Sequence, residues 1–213
     1  MSGPSWGAFG QRLRGLRPRV ARPASRVWNT LKTVLQIVVM WGVLLVLMPL
    51  AIHWGESRFG MPAWPGAGPG MERLGAVLGA VLTVAGSLLG LWTANVLVRD
   101  GAGTPLPLDT ARELVVAGPY RHVRNPMAIG GFGQGIGVAV WLGAPAVLAY
   151  VAVGMAIWQW IARPWEERDL EERFGDRYRR YRAAVPCWLP RLAPYDGLPA
   201  GDAVTDRTQD GGR

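Results

Sequence analysis

The sequence predicts an all-α integral membrane protein with about four transmembrane helices, the last two a helical hairpin, followed by a cytoplasmic amphipathic C-terminal helix. Three observations predict it. Half of the 213 residues are hydrophobic and only 18% are charged, a membrane composition rather than a soluble one. Apolar runs long enough to cross hydrocarbon recur along the chain. The basic excess, 23 Lys and Arg against 15 Asp and Glu, falls in blocks beside those runs, so it reads as topology and not as a nucleic-acid face. A single cysteine, Cys187, excludes an internal disulfide framework, and with His53 and His122 far apart no zinc site of Cys and His is expected.

The first run, Leu31 to Ile52, carries only Lys32 at its edge and Gln36 within it; at about 1.5 Å per residue it crosses roughly 30 Å of hydrocarbon. The arginines before it (12, 14, 17, 19, 22 and 26) resemble a signal n-region, but no small-x-small cleavage site follows, so an anchor is expected. The second run, Leu74 to Val98, pairs Gly75 with Gly79 and Gly86 with Gly90, letting another helix approach closely. Met127 to Leu142 and Pro145 to Ala162 are separated only by Gly143-Ala144, the tip of a hairpin of tilted or partly immersed helices. The arginines before the first run place the N-terminus in the cytoplasm, and four crossings return the C-terminus there. The domain expectation is therefore a disordered basic tail over 1–27, two transmembrane helices over 28–98, a core over 99–190 of cytoplasmic loop, helical hairpin and C-terminal helix, and a disordered tail over 191–213.

Chemistry concentrates in the core. Gly118-Pro119-Tyr120-Arg121-His122-Val123-Arg124-Asn125-Pro126 reads as a turn and a helix start, with Asn125 at the N-cap and Pro126 at the first helical position. Free N–H groups there, with Arg121 and Arg124 beside them, suit an anionic group; a capped, positive-inside helix start has the same pattern. Glycines 130, 131, 133, 135 and 137 leave the next stretch almost bare, for a neighbouring helix or a flat ligand. They form no G-x-G-x-x-G. Gln159, Arg163 and Glu167 stand four apart, on one face if Pro164 only kinks the helix. An arginine with two acids at the hydrocarbon edge is costly unless paired or useful, although Glu166 and Glu167 also suit the first turn of a new helix. Leu170, Phe174, Tyr178 and Tyr181 then form a stripe expected to lie along the membrane surface and cover the site. Cys187, with no histidine to serve it, reads as a packed thiol.

The order Gly-Pro-Tyr, Arg-x-Pro, apolar hairpin, Arg163, Glu166-Glu167, Phe174-Gly175, Tyr178, Tyr181 and Val185-Pro186 resembles the isoprenylcysteine carboxyl methyltransferase family and the related bacterial phospholipid methyltransferases, over about Gly101 to Pro190. The resemblance implies a membrane enzyme that takes S-adenosylmethionine from the cytoplasm and a lipophilic or prenylated acceptor from the bilayer, with membrane lipids as neighbours and no nucleic-acid partner. It implies cofactor contacts at Glu113, Leu114, Val115, Tyr120, Arg124, Asn125, Pro126, Met127, Glu166 and Glu167, catalytic roles for Arg163 and Glu167, and no metal. Where the family has Arg-His-Pro followed by Tyr, this chain has Arg124-Asn125-Pro126 followed by Met127 and Ala128. Arginine in place of lysine, with abundant Gly and Pro, points to a GC-rich bacterial genome, hence a bacterial plasma membrane with both termini cytoplasmic. The resemblance leaves two other activities open, phospholipid N-methylation and NADPH-dependent reduction of the steroid-reductase-like type. A non-enzymatic subunit packed through its glycines is the third alternative.

Overall fold

The computed structural model describes residues 26–61, 68–101 and 113–197, all helical or irregular. Most of the expected basic tail and the chain beyond 197 lie outside them. The first rod is α1 (Arg26–Trp41), a π-helical stretch (Gly42–Leu47) and α2 (Met48–Arg58). Then follow α3 (Pro69–Asp100), a 3₁₀ turn (Gly118–Arg121), α4 (Pro126–Leu142), α5 (Pro145–Ile157), a second π-helical stretch (Trp158–Ala162) and α6 (Arg163–Ala184). Among the described residues three helices are long and apolar enough to cross a membrane, spanning Val27–Arg58, Pro69–Asp100 and Pro145–Ala184; Pro126–Leu142 is a shorter apolar one. In the third, the apolar part ends by Ala162, since α6 is rich in Arg and Glu.

Both π-helical stretches answer a proline. Pro49 and Pro164 lack an N–H, and their rings clash with the carbonyl four residues back. In each case the residue before the proline reaches five residues back, Met48 N–H to Val43 O and Arg163 N–H to Trp158 O. The rods widen there and continue.

The centre of the bundle is the antiparallel pair α3 and α4, packed backbone against backbone. A Cβ added at Gly79 would lie 2.5 Å from Gly137 O, and one at Gly86 2.6 Å from Gly130 O. The spacing of these glycines is what the sequence predicts for close helix approach. Gln134, 1% exposed, crosses the seam by donating from Nε2 to Ser87 Oγ at 2.8 Å. Gly143, at φ 61°, ends α4 in the left-handed conformation and turns the chain into α5. Beyond the tip, buried Glu56 accepts the Ala146 N–H at 2.6 Å, so the first rod caps α5.

Two expectations change. The stripe expected on the membrane surface turns inward: Tyr178 and Tyr181 are 2% and 4% exposed and pack with Val185, Leu114, Val116, Leu170, Phe174 and Tyr195. Gly175, at φ 51°, breaks the helix in its middle, which redirects its second half against the loops. The tail expected from 191 is held through Tyr195. Arg191 N donates to His122 O at 2.9 Å, and Tyr195 N donates to Arg121 O at 2.8 Å.

Candidate active site at the start of the helical hairpin

Three segments meet where α4 begins and α6 begins: the 3₁₀ turn with residues 122–125, the junction at Arg163, and the extended Val185–Trp188. Arg124 ties them. Its backbone N donates to Pro186 O and its Nε to Val185 O, each at 2.9 Å, and its Nη1 pairs with Glu167 Oε1. Both side chains are less than one-fifth exposed, which makes this more than a surface pair.

Gln159, Arg163 and Glu167 do share a face, and each takes its own partner. Trp188 Nε1 donates to Gln159 Oε1 at 2.9 Å, Arg163 Nη1 donates to Cys187 Sγ at 3.4 Å, and Glu167 goes to Arg124. The expected polar pair of Arg163 with Glu167 is therefore not an ion pair, because Arg124 competes for the same carboxylate. Arg163 Nε is buried with no hydrogen-bond partner among the described residues, and an unpaired guanidinium N–H is an open position for an acceptor. Its hydrogen bond to Cys187 first, and then the Glu167 charge, raise the Arg163 pKa and keep it a cation.

Asn125 stands at the N-cap position of α4, but its side chain does not cap. Nδ2 donates instead to Cys187 Sγ at 3.2 Å. The thiol is thus packed between an amide and a guanidinium, and it joins the site that sequence reasoning left it out of. Trp188 adds an aromatic wall with Phe132 and Trp158, at centroid distances of 6.1 and 5.2 Å. Trp188 was also missed; only its place beside Cys187 hinted at it.

The remaining expected residues divide. Glu166 keeps solvent access beside Arg163, and the protein packed round it, ahead of the Glu167 and Asp169 charges, pushes its carboxyl up to about 7. Tyr120 is close enough to feel the Glu166 charge. Burial first, then Glu166 and Tyr181, push its hydroxyl well up, so it stays a neutral phenol; its carbonyl accepts Tyr181 Oη at 2.7 Å. Pro126 is buried. Met127 faces the other way, into a small cavity toward α1 and α3. Val115 is buried and Leu114 packs in the tyrosine cluster, while Glu113 is exposed at the edge of the described loop.

A family model described as phospholipid methyltransferase matches residues 74–177, from α3 into α6. Methanethiol S-methyltransferase 2 of Bradyrhizobium diazoefficiens is 30% identical, over 81% of this chain and 67% of that protein. The chain belongs to the phospholipid methyltransferase family. Protein-S-isoprenylcysteine O-methyltransferases B and A of Arabidopsis thaliana are each 28% identical, over 65% and 68% of this chain. The chain spans 61% and 66% of those two relatives' own lengths. No solved structure matches it. In this member of the phospholipid methyltransferase family, the matched stretch holds Arg124, Arg163 and Glu167 but neither α1 nor the Val185–Trp188 segment that closes over them.

Proposed function

We propose that this protein is a membrane methyltransferase that uses S-adenosylmethionine and methylates a lipophilic acceptor. The observation that carries the reading, beside family membership, is the junction at Arg163: a guanidinium with a buried unpartnered Nε, an accessible carboxylate at Glu166 and an aromatic wall at Trp188. That set fits the cofactor's carboxylate, ammonium and sulfonium in kind. When bound, S-adenosylmethionine supplies an electrophilic methyl group on a sulfonium. The chain's own residues then align and exclude water, which suffices for an in-line displacement in which charge is neutralised. Arg163 offers its fork to a carboxylate, and Glu166 holds the positive group. Arg124 and Glu167 are positioning residues: they fix the Val185–Trp188 segment over the site.

In this reading four helices cross or enter the bilayer, α4 and α5 being tilted, with both termini and α6 at the cytoplasmic face of a bacterial plasma membrane. Residues 99–190 form the catalytic core, and the acceptor is an isoprenylcysteine-type carboxylate or a similar lipophile. The test is a thermal-shift titration of detergent-purified protein with S-adenosylmethionine and, in parallel, NADPH. Saturable stabilisation by S-adenosylmethionine alone, lost in Arg163→Lys and Glu166→Gln, supports the reading. A response to NADPH alone overturns it.

A further inference from the structure

Among the described residues beyond Ile161, the exposed large apolar side chains are Leu189 and Leu192, at 79% and 99%. The helix expected to lie on the membrane does not supply such residues, because its apolar stripe is turned inward at Tyr178 and Tyr181. Nor does looseness put the two leucines outside. The chain around them is pinned: Arg124 N donates to Pro186 O at 2.9 Å before them, Arg191 N to His122 O at 2.9 Å between them, and Tyr195 N to Arg121 O at 2.8 Å after them. The His122 ring adds a hydrogen bond of 2.9 Å between Nδ1 and Arg191 O. A turn held by its backbone while it presents two leucines outward has a surface that something apolar covers. The depth of the turn says what does so. Trp188, the residue before Leu189, packs edge-on against Trp158 with centroids 5.2 Å apart and donates from Nε1 to Gln159 Oε1 at 2.9 Å. Trp158 stands one turn before Ala162, where the apolar part of that rod ends, so at about 1.5 Å per residue the Trp188 ring lies roughly 6 Å inside the hydrocarbon edge. On the same stretch of the rod Ile157 and Trp160 are 53% and 65% exposed, hence lipid-facing. From Val185 to Tyr195 the chain has no acid and one base, Arg191, a composition that suits an apolar leaflet with anionic headgroups.

We propose that Leu189 and Leu192 insert into the cytoplasmic leaflet of the bilayer, and that this lipid contact holds the segment carrying Cys187 and Trp188 against Arg163. The insertion stands apart from the methyltransferase reading; its effect on cofactor binding rests on that reading. The turn is then gripped from two sides, by the backbone of Arg121 and His122 on one and by acyl chains on the other. Cys187, which meets Arg163 Nη1 and Asn125 Nδ2, lies two residues from Leu189, so lipid that holds the leucine also steadies the thiol beside the guanidinium.

The full chain is reconstituted in vesicles of phosphatidylethanolamine and phosphatidylglycerol, with the photoreactive residue p-benzoylphenylalanine placed in turn at Leu189, at Leu192 and, as a control, at exposed Glu172 of α6. Illumination is expected to add the mass of one phospholipid to the protein from 189 and 192, and little or none from 172. Hydrogen exchange in the same vesicles reads the grip on the turn through the Arg191 and Tyr195 amides. The double variant Leu189→Ser with Leu192→Ser should exchange them about tenfold faster or more, since each leucine withdrawn from lipid gives up a hold of that order. Leu189→Met with Leu192→Met should exchange them as wild type does. S-adenosylmethionine affinity, titrated in vesicles, should fall in the serine pair and not in the methionine pair. Absence of a lipid adduct at 189 and 192, an equal adduct at 172, a crosslink to a second copy of the chain in place of lipid, or exchange unaltered by the serines would each overturn the proposal. Lipid adducts and faster exchange as expected, with no S-adenosylmethionine response in wild type, would leave the insertion standing and sink the methyltransferase reading.

Discussion

Alanine at two glycines of α4 should act with opposite sign, and the α3 contact sets the size of the difference. Gly137 lies on the seam: a Cβ there would sit 2.5 Å from Thr83 Oγ1, 2.7 Å from Gly79 O and 2.7 Å from Thr83 N. Two of those atoms are backbone and cannot swing away. To bring the closest backbone contact from 2.7 Å to the 3.4 Å at which ordinary contact begins, the helices must part by about 0.7 Å. A gap of that order forfeits a quarter to a half of each dispersion contact along the seam, and overpacking of this kind costs about 1–3 kcal/mol. The separation also stretches the 2.8 Å bond from Gln134 to Ser87. Gly133, four residues earlier, meets nothing within 4 Å, so alanine there keeps only the propensity gain of roughly 0.5–1 kcal/mol. At about 2–4 °C per kcal/mol for a chain of this size, Gly137→Ala should melt several degrees below wild type and Gly133→Ala one to a few degrees above it. Tryptophan fluorescence during heating in detergent reads both. If Gly137→Ala were as stable as Gly133→Ala, the backbone-on-backbone seam would not be what holds α3 to α4.

Three further outcomes follow from the site and the hairpin tip. Glu167→Gln leaves Arg124 without its partner and should cost about 1–3 kcal/mol of stability, below a fully buried pair because both side chains keep some water; Glu166→Gln should cost little stability but weaken S-adenosylmethionine binding, as parallel melting and titration would show. Glu166, with its carboxyl near 7 in the free protein, is ionised above that pH and neutral below it, so affinity for a cationic group should be full at pH 8 and fall by up to about tenfold per unit on acidification below 7. Glu166→Gln should flatten the profile measured by titration across pH 5.5 to 8.5. Glu56→Gln removes the charge that caps α5 at Ala146 and should lower stability by about 0.5–2 kcal/mol without changing cofactor affinity, since it acts at the hairpin tip.

What was legible in the sequence is what periodicity and length encode. The runs near 31–52 and 74–98, the hairpin turning at Gly143-Ala144, and the glycine faces at 79 and 86 are all properties of one helix at a time. Partner choice was not legible. Arg163, Glu166, Glu167 and Arg124 are all present as charges in the sequence, but only the folded course of Val185–Trp188 decides that Arg124 takes Glu167. Asn125 has the composition of a cap, and competition from the Cys187 thiol draws its side chain elsewhere. The π-helical stretches were hidden for another reason: Pro164 reads as a kink and Pro49 lies unmarked within the first apolar run, whereas a five-residue hydrogen bond before each lets the rod run on. Gly175 looked like a helical residue within an amphipathic stripe, and its positive φ turns that stripe from the membrane to the protein's own loops.

The most direct test of the central claim is methyl transfer itself. Purified protein in lipid vesicles would be given S-adenosylmethionine labelled in its methyl group, with N-acetyl-S-farnesylcysteine and with an alkanethiol as alternative acceptors, and label extractable into organic solvent would be counted. The account predicts label in the organic phase that depends on an acceptor and is lost in Arg163→Lys. Protein that binds S-adenosylmethionine yet passes no label to either acceptor or to the vesicle lipid would contradict it.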